Sequence, residues 1–341
     1  MRRSYFAGAN TTKGFFSYYD KIFGFCDKVY IIKGGSGTGK SRLMKDIADD
    51  AEKNGNSVEY FYCSFDPTSL DGIIIDGNVA VIDGTAPHVY EPTLPGAKEN
   101  LIDLGAFWDP ERLCDKKDEI ERLILSKKRC FNIAYSFLES IGSMDNACHN
   151  ILEKYIKRDK LNAEASKLIS EIKPSAKGSC KIRLASSVGM RGRVSFDSFK
   201  AVAKREIKIC DRFGLGYLLL DSVKREAERF GTSITVSYDP LFAGRIDALL
   251  VGDDVLLTLD AYSNEIDILA PVPEDETEYV KSLRLDMKTY EEKATEWMRR
   301  ASDIHFEIES FYAAAMDFEK KEKFTADLIK ELKKRLSLDK K

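Results

Sequence analysis

The sequence predicts an α/β fold that occurs twice in tandem, with a helical hairpin after each copy. Two observations carry this prediction. A glycine-rich loop lies between an apolar strand and an amphipathic helix, and parts of the first half of the sequence are repeated in the second. With 341 residues the chain is also long enough for two domains, because single cores stop growing below that length.

The first strand and the first long helix flank the glycine-rich loop. Lys28–Lys33 is a short, β-branched, mostly apolar run, which is typical of a buried parallel strand. From Lys40 to Ala51 apolar residues recur at helical spacing, and Asn54–Asn56 ends the pattern. The loop between them matches G-x-x-x-x-G-K-S/T, so the sequence predicts the parallel sheet of a P-loop NTPase.

The loop residues have the chemistry that a bound phosphate needs. Its glycines let successive backbone N–H groups point into one concavity, at the start of a helix. We expect Lys40 to meet the β and γ phosphates and the Ser41 hydroxyl to bind Mg²⁺. The predicted binding residues for ATP with Mg²⁺ are Gly34, Gly35, Ser36, Gly37, Thr38, Gly39, Lys40 and Ser41.

A second Mg²⁺ ligand is expected where an apolar strand ends in a carboxylate. Asp83 follows Val79–Ile82 and is the predicted ligand, with Asp76, at the end of Ile73–Ile75, as the competitor. Gly84, not Glu, follows Asp83, so the acidic pair that many ATPases use to activate water is missing. This favours slow hydrolysis.

Other polar residues are candidates for the chemistry. Thr85 and His88 lie in a loop after the Asp83 strand and are predicted to orient water or to sense the γ phosphate. With Lys40 and Asp83 they form the predicted catalytic set. Asp66, Ser69 and Asp71 would face an acceptor if the protein were a kinase. Two further histidines are interpreted as packing or surface residues: His149 and His305.

The predicted domains are 1–172, a linker at 173–182, and 183–341. Residues from about 110 to 172 and from about 275 to 338 have helical apolar spacing and are predicted to form the hairpins. Lys13–Tyr18 is echoed by Arg191–Phe196, and Leu43–Gly55 by Leu219–Gly231, at displacements of 178 and 176 residues.

The second copy lacks the phosphate-binding residues. Cys210–Tyr217 stands where the first copy has its glycine-rich loop, and it has Gly216 and Tyr217 in place of the lysine and serine. We therefore expect a degenerate domain that pairs with the first copy. Four arginines of this half are candidates for a finger that reaches the γ phosphate: Arg191, Arg193, Arg212 and Arg245.

Composition narrows the class of protein. The formal charge of -3 gives no global positive field for nucleic acid or anionic membranes. No secretory signal or apolar membrane span is found, so a cytoplasmic location is expected. The seven cysteines are never spaced C-x-x-C and are expected to be reduced thiols outside any zinc motif.

Four stretches of the first half resemble a family of bacterial P-loop ATPase-like proteins that carry two such halves in tandem. They are Tyr30–Ser41, Cys63–Gly72, Val81–His88 and Pro95–Asp109. The resemblance implies ATP binding at Gly34–Ser41, Asp83 and the Thr85–His88 loop. The chain departs from the family pattern at Cys210–Tyr217 and near Ala261, so a second nucleotide site is not expected.

The function predicted from these features is ATP binding with slow Mg²⁺-dependent hydrolysis that switches the arrangement of the two halves. Two alternatives stay open at this point, a small-molecule or nucleotide kinase and a non-catalytic, nucleotide-gated binding module. In the second alternative the helical hairpins would offer surfaces to a protein partner. GTP is less favoured than ATP, because no N-K-x-D motif is found.

Overall fold

The computed structural model describes residues 2–171, 178–263 and 266–338. The first half contains eight strands and five α-helices within this part of the chain. In chain order they are β1 Arg3–Phe6, β2 Gly8–Thr11, β3 Gly14–Ser17, α1 Tyr19–Phe23, β4 Lys28–Lys33, α2 Lys40–Lys53, β5 Val58–Tyr62, β6 Leu70–Ile75, β7 Val79–Asp83, β8 Glu99–Asp103, α3 Pro110–Cys114, α4 Lys117–Leu152 and α5 Arg158–Ser170.

The second half repeats most of this order among its described residues. Its elements are β9 Cys180–Ile182, β10 Ser186–Gly189, β11 Gly192–Ser195, α6 Ser198–Val202, β12 Arg205–Cys210, α7 Tyr217–Arg229, β13 Ile234–Tyr238, β14 Ile246–Val251, β15 Val255–Asp260, α8 Glu274–Ala314 and α9 Phe318–Leu338. Residues 173–177 of the linker predicted at 173–182 lie outside the described residues, and its last three residues form β9.

The first sheet is mixed, with the strand order β1-β5-β6-β7-β4-β8. β4 pairs in parallel with β7 and β8, and β1 with β5, whereas β6 is antiparallel to both of its neighbours. The prediction of a parallel sheet is therefore wrong for β6. The reason is the tight turn Asp76–Asn78, which joins β6 and β7 as a hairpin and holds Asp76 and Gly77 at φ of 48° and 74°.

The second sheet has the corresponding order, β12-β15-β14-β13-β9. Its pairings have the same directions, with β14 antiparallel to both neighbours and β12 parallel to β15. A parallel bridge between Ile209 and Ile266 lies where β8 joins the first sheet. β5 begins at Val58 and β13 at Ile234, which is the displacement of 176 residues found in the sequence.

The helices that follow each half pack against the other half. In one core cluster, Leu328, Leu332 and Leu336 of α9 join α2 and the first sheet. In another, Leu161 and Leu168 of α5 join α7 and the second sheet. The predicted boundaries 1–172 and 183–341 thus do not separate two packing units. Helical periodicity marks an apolar face, but it does not say which surface covers that face.

The two long helices α4 and α8 pack against each other as an antiparallel pair. Ala134 and Leu138 of α4 share a buried cluster with Ala294 and Met298 of α8. Lys127, in the N-terminal part of α4, contacts His305, and Lys154, just after the C-terminus of α4, contacts Glu276. The residue numbers of the α8 partners therefore decrease as those along α4 increase, as in an antiparallel pair. The structure therefore joins the two predicted hairpins into one helical pair between the halves.

A shared core lies between the two sheets. Its buried residues include Ile31 and Ile82 of the first half and Ala248, Leu250 and Leu256 of the second. Backbone hydrogen bonds between Phe6 and Leu184 also join the halves. Among the described residues, no helix combines the length and the apolar character needed to cross a membrane.

Candidate functional site

The glycine-rich loop connects the end of β4 to the start of α2. Gly34, Gly37 and Gly39 have φ of 148°, 72° and 79°, a region that residues with a Cβ rarely adopt. The Thr38 side chain is buried, and its hydroxyl donates to the Gly35 carbonyl at 3.0 Å. A Cβ at Gly37 would lie 2.6 Å from the backbone oxygen of Glu309, so the loop tip also requires glycine for close contact with α8.

Lys40 lies at the inner side of this loop. Its ammonium group donates to the carbonyls of Gly34 and Gly35 at 3.0 and 2.8 Å, and it lies 3.6 Å from Asp83 Oδ2. Lys40 is thus held within the loop, at the position where the sequence predicts contact with phosphate. Ser41, the next residue, accepts a hydrogen bond from the Leu70 amide at 3.0 Å.

Asp83 is placed beside the loop because β7 is the parallel neighbour of β4, with Asp83 opposite Ile32. The amide and the hydroxyl of Thr85 donate to Asp83 Oδ1 at 2.8 and 2.5 Å. These two bonds orient the carboxylate while its Oδ2 lies near Lys40. The structure thus brings together the predicted residues Lys40, Asp83 and Thr85, with Thr85 as a support for Asp83.

Asp76, the competing candidate for the metal, lies elsewhere. Its carboxylate accepts hydrogen bonds from Asn56 at 2.5 Å and from the Ser57 amide at 2.8 Å, within the turn after β6. Because β6 runs antiparallel to β7, its end lies at the sheet edge away from the loop, and its beginning lies at the loop edge. Asp71, the second residue of β6, takes that place.

His88 is buried and packs among aromatic side chains. Its ring stacks on Tyr19 at 5.3 Å and meets the edge of Phe15 at 5.0 Å. His88 Nε2 lies 3.4 Å from Asp71 Oδ2. Burial, with a contribution from Asp83, raises the pKa of Asp71 to about 6, although His88 and Lys40 act against that rise. His88 and Asp71 therefore form a close, buried pair.

The sequence missed Cys63 as a neighbour of this pair. Its sulfur lies with the ligand atoms of Asp71 and His88 in one group whose members are all within 4.8 Å of one another. The only available signal was its position, because Cys63 directly follows β5 at the loop edge of the sheet. Without a C-x-x-C spacing, that position did not stand out.

The sequence also missed a group of polar residues from α4 and α8 over the loop. The Gly37 amide donates to Glu309 Oε1 at 3.3 Å, and His305 Nε2 lies 3.7 Å from the same oxygen. Lys127 Nζ lies 3.4 Å from His305 Nδ1. Burial first, then Lys127 and Lys40, lower the pKa of His305 to about 4. His305 is thus a neighbour of the loop as well as a packing residue.

Lys321 of α9 also approaches the loop. It is buried, and a Cβ at Gly39 would lie 3.6 Å from its Nζ. Burial lowers the pKa of Lys321, against the attraction of Asp46. Charged residues on long helices usually belong to solvated faces, so sequence pattern alone gives no reason to place Lys127, Glu309 or Lys321 here.

Three of the four predicted finger arginines are paired with carboxylates, and the fourth is exposed. Arg193, Arg212 and Arg245 form ion pairs with Glu291, Asp267 and Asp145 at 3.1, 3.1 and 2.5 Å. Arg191 is exposed. Among the described residues, Lys127 of α4 and Lys321 of α9 are cations that approach the loop. The structure thus places lysines of the helices there, whereas the sequence predicted one of these four arginines.

The loop of the second half contains its own charges. Asp211 Oδ1 accepts a hydrogen bond from the Gly216 amide at 2.7 Å. A Cβ at Gly214 would lie 2.2 Å from a guanidinium nitrogen of Arg284, which comes from α8. A carboxylate of the chain thus occupies one backbone amide of this loop, which is the kind of donor that a bound phosphate would need.

Comparisons with known proteins give a limited result. A family model described as "Nephrocystin 3, N-terminal" matches residues 24–73, the stretch that contains β4, the glycine-rich loop, α2, β5 and the start of β6. No curated protein and no solved structure was found to match the chain. The chain is thus similar to that family model over the segment that holds Gly34–Ser41.

Proposed function

We propose that the chain binds ATP with Mg²⁺ at Gly34–Ser41 and hydrolyses it slowly, as a tandem P-loop NTPase of the bacterial ATPase-like kind with a degenerate second half. The observation that carries this proposal is the position of Lys40. Its ammonium group bonds two loop carbonyls and lies 3.6 Å from Asp83, at the end of the neighbouring parallel strand. This arrangement suits the recognition of a nucleotide's phosphates.

Ser41 and Asp83 would hold the Mg²⁺ ion. A hydroxyl and a carboxylate are the hard oxygen ligands that Mg²⁺ prefers, and Thr85 orients the carboxylate. The ion would neutralise charge on the phosphates. On binding, Lys40 would exchange the carbonyls of Gly34 and Gly35 for phosphate oxygens, as a mobile lysine at a loop can.

The coupling to the second half rests on Glu309. Its carboxylate accepts the Gly37 amide hydrogen, so it competes with a phosphate for the same donor. Binding of nucleotide would then displace Glu309 and move α8 relative to the loop. Because α8 packs along α4, this displacement supports a switch in the arrangement of the two halves.

The kinase alternative receives less support. Asp66 accepts hydrogen bonds from Thr68 and Ser69 within its own turn. Asp71 is buried against His88. Asp66 is thus engaged within its own turn and Asp71 is buried, whereas an acceptor site needs groups that face the substrate. Release of free phosphate without phosphorylation of a metabolite would agree with the ATPase proposal.

Isothermal titration with Mg²⁺-ATP tests the site. We expect one nucleotide per chain, and Lys40→Ala should weaken binding roughly 10- to 100-fold, the loss typical of a charged hydrogen bond. Lys45→Ala is the matched control, since Lys45 lies one turn further along α2 and bonds the Thr68 carbonyl. Unchanged affinity in Lys40→Ala would overturn the proposal, and two nucleotides per chain would contradict the degenerate second loop.

A further inference from the structure

Three side chains with three kinds of donor atom meet at the loop edge of the first sheet. Cys63 follows β5, Asp71 is the second residue of β6, and His88 lies in the loop after β7. One ligand atom from each, a sulfur, a carboxylate oxygen and a ring nitrogen, lies within 4.8 Å of the other two. The antiparallel course of β6 brings Asp71 to the edge where the other two residues lie.

The group contains buried polar atoms whose bonding is incomplete. Asp71 is 4% and His88 7% exposed. Within the described residues, Asp71 Oδ2 and His88 Nδ1 are buried without a hydrogen-bond partner, and the 3.4 Å approach of His88 Nε2 does not supply one. Buried polar atoms of this kind cost free energy unless a partner or an ion compensates them.

The surroundings of Cys63 suit a bound thiolate. The backbone amides of Phe65 and Asp66 act to lower the pKa of Cys63 and so favour its ionised form. Such N–H groups around a sulfur act as outer-shell support in metal sites. Burial acts in the opposite direction and raises the pKa of Cys63 well above its usual range.

We propose that Cys63, Asp71 and His88 form a site for one divalent transition-metal ion of the Zn²⁺ type. Sulfur, imidazole and carboxylate ligands suit Zn²⁺, whereas Mg²⁺ prefers oxygen ligands alone. The site is thus distinct in chemistry from the one assigned to Ser41 and Asp83. Three protein ligands leave a fourth position for water or another small ligand.

The second half offers an internal comparison. Asp239 follows β13 as Cys63 follows β5, and Asp247 is the second residue of β14 as Asp71 is of β6. Asp239 Oδ1 accepts the amides of Leu241 and Phe242, and Asp247 Oδ2 accepts the Ser186 hydroxyl at 3.0 Å. A carboxylate thus replaces the sulfur, although Asp247 Oδ1 is, like Asp71 Oδ2, buried without a hydrogen-bond partner among the described residues. We therefore expect one such ion per chain.

Cobalt absorption spectroscopy tests the proposal. The probe is Co²⁺, titrated into reduced, tag-free, full-length protein without nucleotide or Mg²⁺. A thiolate ligand gives a charge-transfer absorption in the near ultraviolet, which should saturate at one Co²⁺ per chain and disappear when Zn²⁺ displaces the cobalt. Cys63→Ser should abolish the band, and His88→Gln should lower the affinity roughly tenfold or more.

Matched variants separate this site from other metal-binding groups. Cys26→Ser is the control, because Cys26 is another thiol of the first half and lies outside the group of three ligands. It is buried, and burial raises its pKa to about 11. This variant should keep the band, as should Lys40→Ala and Asp83→Asn. Circular dichroism checks folding, and Asp71→Asn replaces Cys63→Ser if that variant unfolds. Absence of the band in folded protein, or its persistence in Cys63→Ser, would overturn the metal site without touching the nucleotide proposal.

Discussion

Glu309 Oε1 accepts the backbone N–H of Gly37 at 3.3 Å, although 272 residues separate the two in the sequence. A carboxylate from the second half thereby binds a loop amide of the first. His305, one helical turn earlier, lies 3.7 Å from the same carboxylate and contacts Lys127 of α4. The glycine-rich loop and the α4–α8 pair are therefore directly connected.

Glu309→Ala should bind Mg²⁺-ATP roughly three- to tenfold more tightly, because a competitor worth about one hydrogen bond is removed. Isothermal titration measures the change. Glu307→Ala is the control, since Glu307 is an exposed carboxylate of the same helix. Equal affinities for the Glu309 variant and the parent would show that the carboxylate does not compete with the phosphate.

Asp83→Asn should weaken nucleotide binding roughly tenfold with Mg²⁺ present and much less with chelator, because the carboxylate acts through the ion. The comparison is made by titrating ATP under both conditions. Asp76→Asn serves as the control, since Asp76 bonds Asn56 and Ser57 at the other sheet edge. If Asp76→Asn removed the Mg²⁺ dependence and Asp83→Asn did not, the assignment would have to be reversed.

His305 should make the protein less stable in acid. Its pKa is about 4 in the folded protein, against about 6.5 for a free histidine, so the unfolded chain binds the proton first as pH falls. The contribution of neutral His305 to the free energy of unfolding is fully present above about pH 6.5 and is lost as the pH falls towards 4.

Urea unfolding across this pH range measures the effect of His305. The midpoint of the parent should fall more steeply with acid than that of His305→Gln, while His149→Gln should follow the parent. The test compares the midpoints of the variants with one another, because three carboxyl groups act in the opposite direction. Asp71, Asp211 and Asp247 have a pKa raised to about 6, so they bind protons first in the folded protein and stabilise it as the pH falls. Parallel curves for the parent and His305→Gln would refute the prediction.

Because α9 packs against the first half and α5 against the second, a core substitution in either helix should destabilise the half against which that helix packs. Leu332 of α9 is 2% exposed and packs in the cluster of α2, so Leu332→Ala should cost about 2–4 kcal/mol and speed hydrogen exchange in α2. Leu168→Ala in α5 should have a similar cost in stability and should speed hydrogen exchange in α7. Lys330→Ala is the control for α9, since its side chain is exposed.

Hydrogen exchange read by mass spectrometry distinguishes the two halves. Faster exchange of α7 alone in Leu332→Ala would contradict the exchanged packing. The same packing predicts that a chain ending near Lys173 loses the α9 contribution to the first core, so its stability should fall below that of the full chain. Its ATP affinity is measured only after folding is verified.

Local features of the fold and site were predictable from the sequence. The spacing of Gly34–Ser41 between a β-branched run and an apolar helical pattern specified the loop, because each feature depends on neighbouring residues. Asp83 was predictable for the same reason, as the residue that ends an apolar strand. The repeat at 176 residues anticipated the shared strand order of the two sheets.

The direction of β6 and the partners of the helices required the tertiary structure. Periodicity shows that α4, α5, α8 and α9 have apolar faces, but many surfaces bury such a face equally well. The free energy of packing two sheets and four helices together selects the arrangement in which α5 packs against the second half and α9 against the first. Only then do Glu309 and Gly37 meet, and only the reversed β6 brings Asp71 to Cys63 and His88, because these contacts join residues far apart in the chain.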